Sequence, residues 1–291
     1  MRTTWGSATD RGVVRRLNED SLLAYAPVFV VADGMGGHEA GDVASRIAVE
    51  EFAGLAGRAS VTADDVHECV GRISERIRSS VGRRSAGTTI AGVADASSDD
   101  GAYWLVFNIG DSRVYRWAAG VLEQISVDHS VVQELVDRGD IAKADTATHP
   151  DRHVITRALG TDLEPEPDYW LLPAGPTDRM LICSDGLTCE LADEDLREIL
   201  GAVHDPQLAA AALVDAAVHR GGRDNVSAVV VDVMTGVPRD DVERTVDTAA
   251  RGGDGISSEG LGSIEDTHET PVGGGRGMNP RAPSARPEED R

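Results

Sequence analysis

The chain has 291 residues, 41% of them hydrophobic, and a formal charge of −22, from 28 Lys and Arg against 50 Asp and Glu. That length and apolar content suffice for one large core or two small ones. The charge argues against nucleic acid and anionic membrane as partners, since both are bound through cationic side chains. The N-terminus has no apolar signal region, because Arg2, Asp10 and Arg11 interrupt it, and no apolar run is long enough to span a bilayer. Cys69, Cys183 and Cys189 match no zinc or redox spacing, and Cys183 reads as a small buried residue in an apolar strand. A soluble cytoplasmic protein is expected.

In chain order, Thr3–Ser7 and Ser21–Tyr25 read as short strands and Val28–Ala32 as a buried one. Ala40–Phe52 has helical apolar spacing. Thr62, followed three residues later by Asp65, resembles a capping box for a helix reaching about Val81. Thr88–Val93, Tyr103–Ile109 and Arg113–Trp117 are apolar runs, the last two joined through Gly110-Asp111 as a hairpin whose turn presents Asp111. Asp168–Leu172 and Met180–Cys183 are further strands, and a helix follows Asp193. Asp205 caps another helix, with Pro206 at its first position and Gly221-Gly222 at its end, before the strand Val226–Val233. Runs of neighbouring strands between helix pairs do not fit strict β-α-β alternation. They suit an α+β fold of two antiparallel or mixed sheets packed face to face with helices outside. The composition changes near Gly236. Residues 1–235 are expected to form one domain and 236–291 a disordered, acidic, Gly/Pro-rich tail with too little apolar surface to offset its ordering entropy.

Four aspartates carry the functional message: Asp33, Asp111, Asp185 and Asp224. Each sits where a strand meets a turn rich in glycine or small polar residues, as in Val30-Val31-Ala32-Asp33-Gly34 and Ile182-Cys183-Ser184-Asp185-Gly186. Singly, each would be an ordinary turn residue. Gathered at one sheet edge they would repel, by about 4 kcal/mol per pair at roughly 4 Å and an effective dielectric near 20. Such a cluster needs cations, and an all-oxygen set without Cys or His selects magnesium or manganese over zinc. Two such ions sharing a carboxylate can hold a bridging water and lower its pKa toward neutrality, which suits phosphate-ester hydrolysis. Asp33 reads as the shared ligand, the Gly34 carbonyl as another, and Asp185 and Asp224 as the remaining pair. Arg15 can grip two phosphoryl oxygens, and Glu19 and Asp20 can hold ion-bound waters. Asp10 and Asp42 read as turn and helix-start residues, Arg113 as structural, and His129, His149 and His153 as loop residues without a catalytic role.

These motifs resemble the metal-dependent protein phosphatases of type 2C, the PPM family, in their compact bacterial form. The resemblance covers about residues 3–234 and includes Gly87-Thr88-Thr89, the stretch from His149-Pro150 to Leu159-Gly160, and Asp224-Asn225. It implies a four-layer α-β-β-α fold and a serine/threonine phosphatase that hydrolyses phosphoserine and phosphothreonine with a metal-bridged hydroxide. The implied cofactors are two core Mg2+ or Mn2+ ions. Asp33, Asp185 and Asp224 match the binuclear ligands, Gly34 the backbone ligand, Glu19 the water-mediated acid and Arg15 the phosphate-binding arginine. Asp111 matches the ligand of a third, weaker ion. His38 stands where bacterial members carry a histidine, so the leaving oxygen takes its proton from His38 or from an ion-bound water. Ser126 to Gly160 matches the mobile flap beside the active site. The implied partners are phosphorylated proteins, the substrates of a Ser/Thr kinase, acted on by a monomer. A pseudophosphatase that binds without turnover is the alternative, although the ligand set is whole. Arg223 and Cys189 depart from the family pattern, Cys189 standing where an acidic residue is common.

Overall fold

The computed structural model describes residues 1–36, 40–81, 86–98, 101–161 and 166–234, all within one unit, Met1–Asp240. His38 and the proposed tail therefore lie outside the described residues. The strands are β1 (Thr3–Asp10), β2 (Asp20–Tyr25), β3 (Val28–Gly36), β4 (Ala86–Thr88), β5 (Ile90–Asp95), β6 (Tyr103–Ile109), β7 (Arg113–Ala118), β8 (Val121–Gln124), β9 (Asp168–Pro173), β10 (Arg179–Cys183) and β11 (Val226–Val233). The helices are α1 (Ala40–Ala53), α2 (Ala63–Val81), α3 (Val131–Asp137), α4 (Asp185–Thr188), α5 (Asp193–Ala202) and α6 (Pro206–Arg220), with a 3-10 turn at Lys143–Thr148.

One sheet runs β1-β11-β10-β7-β8 and the other β2-β3-β5-β6-β9, with β4 on β3. All the strand pairs are antiparallel. Both faces of the central strands are covered, which is why the sequence shows unbroken apolar runs rather than alternation. Phe29 and Val31 of β3 meet Met180, Ile182, Val229 and Val231 between the sheets. Val28, Val30 and Ala32 of β3 face α1 and α2 instead. Leu181, Val226, Ala228 and Val230 turn to α4, α5 and α6. The layers are thus helix, sheet, sheet, helix.

Local signals act as expected in the helices. On α1, Ala40, Ala44, Ile47, Ala48 and Phe52 form one buried stripe, and Phe52 stacks on Phe107 with ring centroids 5.2 Å apart. Thr62 and Asp65 cap α2 reciprocally, Thr62 N–H to Asp65 Oδ2 at 2.9 Å and Asp65 N–H to Thr62 Oγ1 at 3.2 Å. Asp205 Oδ1 accepts from Leu208 N–H at 2.9 Å, capping α6 ahead of Pro206.

Two sequence expectations are corrected. β6 and β7 do not form a hairpin: they belong to different sheets, and β7 pairs with β8 instead. Residues 110–112 carry the chain across the sandwich, and Gly110, at φ +106, makes that step, where a Cβ would lie 2.5 Å from Thr89 Cγ2. The run Thr88–Val93 is likewise two strands, broken at Thr89, whose N–H and hydroxyl both turn to Asp33. The short elements β8, α3 and α4 have too few residues for a periodic signal.

Candidate metal centre

One edge of the sandwich gathers a carboxylate from each of five places. Asp20 opens β2 and pairs in register with Asp33 of β3. Asp111 lies in the link between the sheets, Asp185 begins α4 just after β10, and Asp224 precedes β11. Asp33 feels all the others: burial raises its pKa well above the carboxylate range, and Asp20, Asp185, Asp111 and Asp224 add to that. Burial, then Asp185 and Asp128, push Asp111 up to about 8. Burial and the charge of Asp224 raise Asp185, against a hydrogen bond with Asp33 and the positive influence of His153 and Arg113. Burial pushes Asp20 up to about 7 despite hydrogen bonds from Ser227 and Ser184. Its Oδ1 is buried without a hydrogen-bond partner.

These observations fit divalent cations. Mutually repelling carboxylates raised by burial, together with an orphaned buried oxygen, are what a cation would relieve. The donors are oxygens throughout, as magnesium or manganese requires.

The backbone explains why each aspartate sits where it does. Asp33 N–H donates to Thr89 Oγ1 at 3.1 Å, and its carbonyl accepts from Thr89 N–H at 2.9 Å and Thr88 Oγ1 at 3.0 Å. The Thr89 and Ser112 hydroxyls pair at 2.7 Å, joining the Asp33 and Asp111 segments. Ser184 Oγ donates to Asp20 Oδ2 at 2.8 Å, stitching the two sheets together beside Asp185. Gly34 must lack a side chain because a Cβ would lie 2.2 Å from Gly41 O and 2.5 Å from Glu19 O. Close packing of β3 on α1 thus demands the glycine in its own right. Gly186 is equally constrained, since a Cβ there would meet Asn225 O at 2.0 Å.

Arg15 reaches the cluster and donates from Nη2 to Asp224 Oδ2 at 2.6 Å. Its half-exposed side chain leaves the guanidinium open to solvent. Glu19 is raised by burial and lowered by Arg15 and by a hydrogen bond from the Gly41 amide at the start of α1.

Sequence reasoning gave no role to several residues that organise this edge. Buried Asn225 accepts from Glu19 N–H at 2.8 Å and donates to the carbonyls of Arg11 and Leu17, both at 2.9 Å. It therefore fastens the loop that carries Arg15. His129 braces the Asp111 turn: Nδ1 accepts from Gly110 N–H at 3.1 Å, leaving the proton on Nε2 for Asp168 Oδ2 at 3.1 Å. Burial lowers its pKa, and Nδ1, as the acceptor from Gly110 N–H, carries no proton. Asn225 belongs to the Asp224-Asn225 motif and His129 is an ordinary polar residue in the sequence, but only their distant partners reveal what they fasten.

Asp10 accepts from Gly12 N–H at 2.7 Å in the expected turn. Asp42 lies in the first turn of α1. Arg113 chelates Asp128, with Nη2 at 2.7 Å and Nε at 2.9 and 3.0 Å. His153 is brought to the rim of the cluster, where its ring nitrogen, an Asp185 oxygen and Cys189 Sγ all lie within 4.8 Å of one another.

A family model described as protein phosphatase 2C matches residues 15–218. The chain is 34% identical over 239 residues to the serine/threonine phosphatase stp of Listeria monocytogenes serotype 4b, which spans 77% of this chain and 93% of that protein. It is 38% identical over 238 residues to the serine/threonine protein phosphatase PstP of Mycobacterium tuberculosis, covering 79% of this chain and 45% of that protein. The crystal structure of PstP from M. tuberculosis superposes with a TM-score of 0.73 at 34% identity, over 80% of this chain and 99% of that one. The catalytic domain of PstP in complex with two manganese ions superposes with a TM-score of 0.71 at 34% identity, over 80% and 98% of the two chains.

Proposed function

The chain belongs to the protein phosphatase 2C family, and we propose how its own residues carry the family's reaction, the metal-dependent hydrolysis of phosphoserine and phosphothreonine in proteins. The observation that supports this most directly is the convergence of Asp33, Asp185, Asp111 and Asp224 from both sheets with Arg15 on their open side. Two divalent ions, when bound, supply Lewis-acid activation of water near neutral pH and neutralise phosphoryl charge.

Asp33, Asp185 and Asp224 would hold that pair together with the Gly34 carbonyl, and Asp111 would hold a third, weaker ion. Glu19 and Asp20 would accept hydrogen bonds from waters on those ions. Arg15 exchanges Asp224 for the phosphoryl oxygens, which present the same acceptor geometry with more charge. Asn225 holds the Arg15 loop so that the guanidinium arrives without further ordering cost. The leaving alkoxide takes its proton from His38, which lies outside the described residues, or from an ion-bound water. We further assign the chain to phosphoprotein substrates of a Ser/Thr kinase, as a cytoplasmic monomer. Among the described residues no helix is long and apolar enough to cross a membrane.

The test is hydrolysis of a phosphothreonine peptide by the full chain in EDTA, magnesium and manganese, with Asp185→Asn alongside. Metal-dependent turnover that vanishes in the variant, while its unfolding stays cooperative, is expected. Near-normal turnover by the variant with metals supplied would refute the assignment. Manganese binding without any turnover would favour the pseudophosphatase alternative.

A further inference from the structure

The rim of the centre carries a second, chemically different donor set. Asp185 starts α4 and Cys189 caps its C-terminal end one helical turn later, with Cys189 N–H donating to Asp185 O at 2.8 Å, so their side chains share a face. Cys189 Sγ is 4.0 Å from Asp185 Oδ2. His153 comes from a remote segment, and the three donor atoms lie within 4.8 Å of one another. That segment is anchored just after His153, by Val131 N–H to Val154 O at 2.9 Å and Thr156 N–H to His129 O at 2.8 Å. Arg223, paired with Glu190, donates to the Cys189 carbonyl at 3.2 Å and steadies the turn that carries the thiol.

We propose that His153, Asp185 and Cys189 form an inhibitory site for a thiophilic divalent cation, zinc being the type. A thiolate, an imidazole and a carboxylate suit zinc, with solvent in the fourth place, whereas magnesium and manganese favour oxygen donors alone. With Zn–S near 2.3 Å and Zn–N or Zn–O near 2.0–2.2 Å, tetrahedral donors lie roughly 3.5 Å apart. The exposed Cys189 and His153 side chains can close the remaining distance by changing rotamer. An ion there does two things. It takes Asp185 away from the oxygen-ligated pair, and it pins the His153 segment to α4. The inhibitory consequence rests on the phosphatase reading, whereas the binding does not.

The experiment titrates the full chain with cobalt and then zinc, in excess magnesium to occupy the oxygen ligands. One equivalent of cobalt should produce a thiolate-to-cobalt charge-transfer band in the near ultraviolet, and zinc should remove it. Oxygen ligands alone give no such band. Cys69 and Cys183 are fully buried and have no access to the ion. Cys189→Ser should abolish the band. His153→Gln should weaken binding by at least the roughly 10–100-fold that loss of a mere outer partner of a metal ligand costs. In parallel, zinc should inhibit phosphothreonine-peptide hydrolysis in magnesium, and Cys189→Ser should raise the half-inhibiting concentration by the same factor. No band in the wild type, or a band that survives Cys189→Ser, overturns the site. A band without inhibition overturns the regulatory part. A band in a protein with no turnover upholds the site and counts against the phosphatase reading instead.

Discussion

Asp20→Asn probes the electrostatic cost of the centre. Asp20 is buried, accepts from Ser184 at 2.8 Å through Oδ2, and leaves Oδ1 without a partner. Burial carries its pKa from 3.8 to about 7 in the folded protein. Between these values the folded state binds a proton that the unfolded state has released, so stability is full below pH 3.8 and falls as pH rises toward 7. At about 1.4 kcal/mol per pKa unit over roughly three units, ionised Asp20 costs the cation-free protein up to about 4 kcal/mol at pH 8. Asparagine keeps an oxygen for Ser184, carries no charge, and is close in shape. In EDTA, urea unfolding at pH 8 should therefore show the variant more stable than wild type, by up to about 4 kcal/mol, and the gap should shrink toward zero by pH 4. Manganese should stabilise the wild type more than the variant. A stability difference that does not change between pH 4 and pH 8 would refute the reasoning.

Other outcomes follow from the same geometry. Arg15→Ala breaks an exposed ion pair, so unfolding should change by less than about 1 kcal/mol. The same variant should lose about 100-fold in kcat/KM on a phosphopeptide, equivalent to roughly 3 kcal/mol of charged hydrogen bonding. An unchanged kcat/KM would remove Arg15 from the substrate site. Asn225→Ala deletes three hydrogen bonds that fasten residues 11–19. It should cost about 3 kcal/mol in urea unfolding and raise KM, because the Arg15 loop loosens. Gly186→Ala drives a Cβ against Asn225 O. About 1–3 kcal/mol of destabilisation should come with weaker manganese binding by calorimetry, since Asp185 begins the displaced helix.

Particular residues show what was legible in the sequence. Asp205-Pro206 and Thr62 with Asp65 announced two helix starts, because capping is decided by neighbours within one turn. Val226–Val233 and Tyr103–Ile109 were readable as strands to the residue, because strands buried on both faces are unbroken apolar runs. Asp33, Asp185 and Asp224 stood out because glycine and small residues surround an acid beside each apolar run, although β3 continues past Asp33 to Gly36. The false hairpin at Gly110-Asp111 shows the limit. A short glycine link permits both an in-sheet turn and a step between sheets, and the choice belongs to the partners, β5 and β9 for β6 and β10 and β8 for β7.

The chain alone determined which side chains offer oxygen donors for a cation, since donor chemistry is a property of the side chain. It also determined the class of fold, since burial periodicity and caps are local. Only the tertiary structure decided that Asn225 fastens the Arg15 loop, that His129 is a neutral brace, and that His153 reaches Cys189. Each of these depends on groups brought together from distant parts of the chain, where strand register and the packing of the two sheets set the geometry.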